Sequence, residues 1–199
     1  MKNTRTYLLA ATALAAIVTL SACSGGLGGM DMGTSTSMAT PSASADAAGT
    51  FNDADVMFAQ MMVPHHEQAV EMSDMLLAKD GIDQEVTDLA TEIKEAQQPE
   101  IDQLNEWLTQ WGSEPAMSGM SHGDGMMSAD DMAALEAASG TEASKLFLEQ
   151  MISHHQGAIA MAQDEVDNGE NADAQKMAAT IVSTQTDEIS RMQDLLGSL

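Results

Sequence analysis

The sequence contains a single cysteine, Cys23, and can therefore form no intramolecular disulfide. Basic residues are also scarce: seven lysines and arginines stand against 31 acidic residues, which gives a net charge of −24. A polyanion of this size does not bind nucleic acid or anionic lipid head groups through its charge. We therefore expect no nucleic-acid partner. Histidine is rare as well, since the chain has only five, and four of them occur as two adjacent pairs.

Residues 1–22 are typical of a secretory signal peptide. Lys2 and Arg5 precede an apolar run over residues 7–20 that is short for a membrane span. The run ends in LSAC, residues 20–23, which resembles the bacterial lipobox. This resemblance implies cleavage before Cys23 and lipid attachment to its sulfur, so we expect an extracytoplasmic protein, periplasmic or at the cell surface, that is anchored to the membrane through Cys23. The alternative is a plain cleaved signal that leaves a free thiol.

Residues 23–50 consist mainly of Gly, Ser, Thr, Ala and Met. Such a composition cannot bury a core and predicts a flexible tether. The remaining residues, 51–199, suit one domain. Their pattern is helical nearly throughout, and no segment alternates as a strand does. The sequence therefore predicts an all-α domain behind a disordered tether.

Polar capping residues and glycine stops divide this domain into helices. A short helix is expected over residues 129–138, after a Gly, Ser and Met loop over residues 112–128. The four long helices are expected to end at residues 79, 111, 168 and 196. Their expected N-caps are, in the same order, Asn52 or Asp53, Asp83, Thr141 and Asn171.

The two halves of the domain repeat each other. MMVPHHEQAVEM at residues 61–72 matches MISHHQGAIAM at residues 151–161, with the histidine pairs offset by 89 positions. A duplicated helical hairpin, packed against its copy, makes a four-helix bundle. We assign repeat one to residues 51–111, a Met-rich crossover to residues 112–140 and repeat two to residues 141–199.

The histidine pairs lie on the inner faces of their helices. Apolar residues recur at steps of three and four along both helices, and this seam includes His65 and His154, while His66 and His155 lie beside it. Folding each hairpin about its turn places four polar residues of the partner helices at the level of the pairs. They are Gln97 and Glu100 in repeat one, and Gln185 and Glu188 in repeat two.

Methionine is abundant, with 18 residues in the chain. Methionines in a packed core need no further explanation, but those in the tether and crossover are expected to be exposed, where they fill no core. A thioether is a soft ligand that carries no proton and forms no disulfide, so it suits Cu(I) outside the cytoplasm. Imidazole accepts either copper oxidation state. Met and His without Cys therefore indicate copper more than zinc or iron.

The two His-His segments, together with QQPEI at residues 97–101 and QTDEI at residues 185–189, resemble the secreted bacterial family catalogued as domain of unknown function 305. The resemblance covers roughly residues 51–199. It implies a ferritin-like four-helix fold, and some members of that family have been connected with periplasmic copper binding and copper tolerance. What it implies here is a copper-binding bundle that uses His65, His66, His154 and His155 with nearby methionines.

Our leading hypothesis is a lipid-anchored copper binder, a buffer or chaperone and not an enzyme. The sequence identifies no copper-delivery partner. The expected metal ligands are His65, His66, His154, His155, Met62, Met72, Met151 and Met161. The expected accessory ligands are His122, Met61, Met117, Met120, Met126 and Met127. Gln97, Glu100, Gln185 and Glu188 would orient the imidazoles from the partner helices.

Two alternatives remain. A ferritin-like di-iron oxidoreductase needs Glu-x-x-His on two helices, and this motif does not occur in the sequence. A structural or pH-responsive envelope protein would instead keep the histidines as core residues that are hydrogen-bonded to Gln or Glu. The sequence also leaves open whether the two repeats would hold separate ions or share one central cluster.

Overall fold

The computed structural model describes residues 49–114 and 125–199. Regular secondary structure within these ranges is entirely helical, which confirms the all-α prediction; the helices are α1 (Asp53–Leu77), α2 (Gln84–Gln110), α3 (Ala129–Ala137), α4 (Gly140–Asn168) and α5 (Ala172–Ser198). None of the helices in the described ranges combines the length and apolar character that crossing a membrane requires. The expected signal peptide, the lipidation site Cys23 and the tether to residue 48 lie outside the described residues, as do Met117, Met120 and His122.

The helices begin where their capping residues predict, with one exception. The Asn52 side chain accepts hydrogen bonds from the main-chain N–H groups of Ala54 and Asp55, and Asp55 accepts one from the Asn52 N–H in return. This reciprocal capping box fixes the start of α1. The side chains of Asp83 and Asn171 likewise accept main-chain N–H groups in the first turns of α2 and α5, without the reciprocal bond.

The exception is α4, for which Thr141 was the expected cap. The helix instead begins at Gly140, and its N-cap is Ser139, whose side chain makes no capping hydrogen bond. Gly140 has a φ of +55°, a left-handed conformation that glycine adopts without steric cost. This turn takes the chain directly from the end of α3 into α4, so the first turn of α4 forms before Thr141 can act as a cap.

The four long helices form a bundle of two hairpins, α1–α2 and α4–α5, with α1 packed against α4. Met62 of α1 shares a core cluster with Met161 of α4, whereas Met72 of α1 shares the other core cluster with Met151. Helices α1 and α4 are therefore antiparallel, and a pseudo-twofold axis relates the hairpins. The short helix α3 packs on α1 and α4, away from the side where α2 approaches α5.

The apolar core is divided into two clusters along the bundle. One contains Phe58 of α1 and Trp107 of α2, and the other contains Leu76 of α1 and Phe147 of α4. Burying a side chain of this size stabilises the fold by roughly 1.5–3 kcal/mol. The histidine pairs lie between the clusters on both central helices, so the bundle is closed by apolar packing above and below a polar layer.

Candidate metal centre

All four paired histidines are completely buried. They lie on α1 and α4, the two helices at the centre of the bundle, and Gln97 of α2 and Gln185 of α5 are buried beside them at 3% exposure. The prediction that the histidines face the bundle interior is confirmed. We call these four histidines with Gln97, Glu100, Gln185 and Glu188 the histidine layer.

The two repeats meet at one point in this layer. The ring centroids of His65 and His154 are 3.7 Å apart, with their planes inclined by 37°. His66 and His155 lie farther out, at 6.5 Å and 6.4 Å from the rings of their chain neighbours. The histidines of the repeats therefore form one contiguous group across the pseudo-twofold axis.

Each outer histidine is hydrogen-bonded to a glutamate of its own hairpin. His66 Nε2 donates to Glu100 Oε2 at 2.8 Å, and His155 Nε2 donates to Glu188 Oε2 at 2.7 Å. Because a carboxylate only accepts, each of these bonds places a ring proton on Nε2, and in the neutral imidazole it leaves a lone pair on Nδ1. Both Nδ1 atoms are buried and have no hydrogen-bond partner.

The carboxylates thus occupy the places predicted for them opposite the histidine pairs. The glutamines also lie at the predicted level, and the Oε1 atoms of Gln97 and Gln185 make no hydrogen bond. Gln97 precedes Glu100 by three residues, nearly one turn, and lies deeper in the core. Only the glutamates orient imidazoles in this geometry.

The environment of His154 favours its neutral imidazole. Burial lowers the pKa of His154 well below its ordinary value of 6.5, and the proximity of His65, His155 and His66 lowers it further. The His65 main chain opposes this shift only weakly. A neutral imidazole keeps a lone pair available, which is the form that binds metals.

Imidazoles and carboxylates alone do not complete a metal centre here. Within residues 49–114 and 125–199, no three side chains of His, Cys, Asp and Glu are placed to hold one ion. Any centre at this position would therefore need further ligands, and the sulfur ligands predicted from the sequence lie on the same two helices. Met62 and Met151 are fully buried and lie one helical turn before His66 and His155, and Met72 and Met161 are buried farther along the same helices.

Two parts of the accessory set are only half-buried at the edge of this region. Met61 lies on α1, and Met126 and Met127 lie in the part of the crossover that directly precedes α3. Met127 exchanges two hydrogen bonds with Gln68, its N–H donating to Oε1 and its carbonyl accepting from Nε2. Met127 also packs against the second core cluster, so the expectation of an exposed position is wrong for it.

The crossover reaches the layer closely at Gly125. A Cβ atom at this position would lie 2.8 Å from the Ser153 carbonyl oxygen and 2.9 Å from the Gly157 Cα, so only glycine allows this approach to α4. Residues 125–127 of the crossover therefore contact α1 at Gln68 and α4 at Ser153 and Gly157, close to the histidine pairs. It covers this face of the histidine layer.

The donor set fits a soft, monovalent cation such as Cu(I). Two buried Nδ1 lone pairs have no donor to satisfy them, and leaving each one unpaired costs about 1–3 kcal/mol. Their carboxylate partners follow the usual pattern of metal-ligating histidines, which donate their other ring N–H to a carboxylate. Thioethers on the same helices would add the soft ligands that suit copper.

Sequence reasoning missed two features near the layer. One is a groove between α2 and α5 that includes Glu100, Trp107 and Met177. The other is a pair of buried carboxyl side chains, Asp55 and Glu165, at the point where the N-terminal end of α1 meets the turn between α4 and α5. Neither carries a signal in sequence, because the participating residues lie on different helices and follow ordinary helical patterns.

Solved structures with the same fold include metal-bound relatives. A DUF305 fragment from Deinococcus radiodurans is 32% identical and superposes with a TM-score of 0.69 over 74% of this chain and 98% of its own. A DUF305 protein from Streptomyces coelicolor is also 32% identical, with a TM-score of 0.68 over 73% and 93%. CopM in its Cu(I)-bound form is 32% identical, with a TM-score of 0.61 over 72% and 96%, and Cu(II)-bound and Ag-bound forms of CopM match as well.

Among curated proteins, no sequence matches this chain. The family comparison is decisive, because residues 55–196 match the family described as a domain of unknown function, DUF305. That range spans both hairpins and the entire histidine layer. The chain belongs to the DUF305 family.

Proposed function

We propose that this protein binds Cu(I) in the histidine layer and serves as a copper buffer or delivery protein. The observation that carries the proposal is the repeated His–Glu pair, in which Nε2–H donates to a carboxylate and Nδ1 is buried without a partner. The imidazoles of His65, His66, His154 and His155 would hold copper together with Met62, Met72, Met151 and Met161. Glu100 and Glu188 would fix the tautomers of the outer imidazoles.

The metal-bound CopM structures support copper as the ligand, because this relative shares the fold and a third of its residues with the chain. Ligand chemistry supports the reduced ion, since thioethers favour Cu(I). We propose further that the protein works outside the cytoplasm, attached to the membrane by a lipid on Cys23. The basis for this location is the leader with its lipobox-like LSAC end.

Storage or transfer suits this site better than catalysis. The layer is fully buried between two apolar clusters, so a substrate larger than an ion would have to open the bundle to reach it. A ferritin-like di-iron site requires Glu-x-x-His motifs that the sequence does not contain. We therefore propose a binding protein and not an oxidoreductase.

The test is an anaerobic titration of the protein with Cu(I) against a competing chelator. We expect tight binding by the wild-type chain and loss of most of it when the four paired histidines are replaced by alanine. His122→Ala is the comparison variant, since it removes the remaining histidine, an expected accessory ligand that lies outside both pairs. A second variant, His66→Gln with His155→Gln, removes only the two outer imidazoles, with their unpartnered Nδ1 atoms, and keeps a polar group beside each glutamate.

Equal Cu(I) affinity in wild type and in a folded four-histidine variant would overturn the proposal. Circular dichroism confirms that each variant is helical before its affinity is interpreted. If only the His122→Ala variant lost affinity, the site would lie in the crossover and not in the bundle.

A further inference from the structure

A groove lies between α2 and α5, away from the side of the bundle where α3 packs on α1 and α4. Its volume is about 430 Å³, and Glu100 is one of the residues that line it. At roughly 30 Å³ for each water, the groove admits on the order of ten waters, enough to accompany an ion. The groove is therefore a solvated approach to the outer edge of the histidine layer.

Glu100 joins this groove directly to the buried histidines. One of its oxygens accepts the hydrogen bond from His66 Nε2 at 2.8 Å, while the side chain remains 21% exposed. His66 itself has no exposed surface. The glutamate is thus the last group between the solvent in the groove and the imidazole behind it.

The groove also contains groups that interact with soft cations. Met177 contributes a half-buried thioether, and Trp107 contributes an indole, whose π face attracts cations. Asp173 adds a second carboxylate beside Glu100, and Lys176 adds one positive charge at the exposed rim. The lining is therefore net acidic and offers sulfur and aromatic contacts on the path to His66.

The pseudo-twofold axis provides an internal comparison, because positions of α2 and α5 correspond at an offset of 88. Glu100 corresponds to Glu188, and both bind their histidine in the same way. The soft groups are not repeated: Trp107 corresponds to Leu195, and Met177 corresponds to Leu89. Only the side with Glu100 offers the soft groups.

At the equivalent place beside Glu188, an ion pair joins α2 and α5. Gln103 and Thr180, which line the open groove, correspond to Arg191 and Glu92. Arg191 Nη1 donates to Glu92 Oε2 and joins α5 to α2 across the equivalent position. The same two positions therefore form an uncharged gap beside Glu100 and a salt bridge beside Glu188.

We propose that the groove over Glu100 is the port through which Cu(I) enters and leaves the histidine layer, and that the Arg191–Glu92 pair closes the equivalent route beside Glu188. This inference rests on the proposed copper binding. It adds that copper enters and leaves the pseudosymmetric site only through the groove beside Glu100.

The test transfers the closing pair from one side to the other. Gln103→Arg with Thr180→Glu places an ion pair across the open groove without changing the net charge. Arg191→Gln with Glu92→Thr removes the pair from the other side. The measurement preloads the full chain with Cu(I) and follows its transfer to excess bathocuproine disulfonate by absorbance. The four-histidine variant identifies which kinetic phase comes from the layer.

We expect the closing substitutions to slow release from the layer by about fivefold, because an exposed ion pair is only modestly stable and opens often. The equilibrium affinity for Cu(I) should not change, since a port alters entry and exit rates equally. The opening substitutions alone should not slow release. When they are combined with the closing substitutions, the release rate should return to that of the wild type. Met177→Leu, which copies the other repeat and preserves volume, should also slow release.

Unchanged release rates in the closing variant and in Met177→Leu, with copper affinity intact, would overturn the port. Equal slowing by the closing and the opening substitutions would overturn it too, because the effect would then not depend on which side is closed. These outcomes differ from failure of the proposed function, in which the wild-type protein shows no histidine-dependent copper binding at equilibrium.

Discussion

His66 donates its Nε2 proton to Glu100 across 2.8 Å, and this bond decides which nitrogen of the imidazole remains available. A carboxylate accepts and never donates in its ionised form, so the tautomer with a free Nδ1 is fixed. The same relationship between His155 and Glu188 shows that both repeats preserve it.

Replacing Glu100 and Glu188 by glutamine should weaken Cu(I) binding. A glutamine amide can donate as well as accept, so it allows the opposite tautomer and removes the negative charge that makes the imidazole a better ligand. We expect an affinity loss of about tenfold, at the lower end of the range for partners of metal-binding histidines. Chelator competition measures the affinity, and ¹⁵N chemical shifts of the imidazoles report the tautomer.

Glu95→Gln is the control for this prediction, since Glu95 lies on the same helix but is exposed. An unchanged tautomer and an unchanged affinity in the double glutamine variant would show that the carboxylates merely fill space.

The buried methionines can be divided by cluster. Met62 and Met161 pack on one side of the histidine layer, and Met72 and Met151 pack on the other. Replacement of either pair by leucine nearly preserves volume and should cost less than about 1.5 kcal/mol of stability for each substitution. Because leucine lacks the soft sulfur, we expect each pair to lower Cu(I) affinity by about tenfold or more.

Met192→Leu is the matched control, because Met192 is buried in the core on α5 and is not a predicted ligand. Cu(I) stoichiometry and affinity are measured for all three variants. A loss confined to one pair would limit the thioether ligands to that side of the layer. No loss with either pair would remove methionine from the site.

The periodicity of the sequence was sufficient to place most of the site. Steps of three and four put His65 and His154 on the inner seam, and the hairpin turns set Glu100 and Glu188 at the right level. Both inferences depend on geometry within one hairpin, which helical rise fixes. The fold class followed from the same local pattern.

Relationships between hairpins could not be predicted in this way. The 3.7 Å approach of His65 to His154 depends on how the hairpins cross, and periodicity does not specify that angle. The port shows the same limit: Trp107 and Met177 both fit an apolar helical face, and only the approach of α2 to α5 brings them together. Thr141 failed as a cap for a related reason, since Gly140 set the turn before it.

Copper should stabilise the fold if it binds the native layer. At free Cu(I) one hundredfold above Kd, one site contributes about 2.7 kcal/mol. For a domain of this size, that corresponds to a rise in Tm of roughly 5–10 °C. Thermal unfolding with and without Cu(I), followed by circular dichroism, measures the shift. A chain whose histidines are only structural or pH-responsive would show no increase.

The pair of Asp55 and Glu165 predicts a dependence of stability on pH that is separate from copper. Asp55 is fully buried and accepts N–H groups from Asn52, Glu170 and Asn171, which hold its pKa below the ordinary value despite burial. Burial, followed by hydrogen bonding and charge repulsion from Asp55, raises the pKa of Glu165 to about 8. Glu165 is therefore protonated in the folded protein at neutral pH.

The direction of the effect follows from the proton balance. Between pH 4.5 and about 8 the folded state holds a proton on Glu165 that the unfolded state has lost, so unfolding releases a proton. Stability should therefore fall as pH rises through this window, with a limiting slope of about 1.4 kcal/mol per pH unit for one group. Asp55 has the opposite dependence, confined below its ordinary value of 3.8.

Glu165→Gln should remove this slope, because an amide neither gains nor loses a proton over this range. We expect the copper-free wild-type protein to lose stability between about pH 7 and 8 in urea unfolding, whereas the glutamine variant should remain nearly constant over that range. Below about pH 6.5 the lowered pKa of His154 contributes the opposite slope, so that range is not compared. Glu149→Gln is the control, since Glu149 is exposed on the same helix and lies far along it from Glu165. If wild type and Glu165→Gln had the same slope, another group would have to bind the proton, and Glu165 would be ionised in the folded chain.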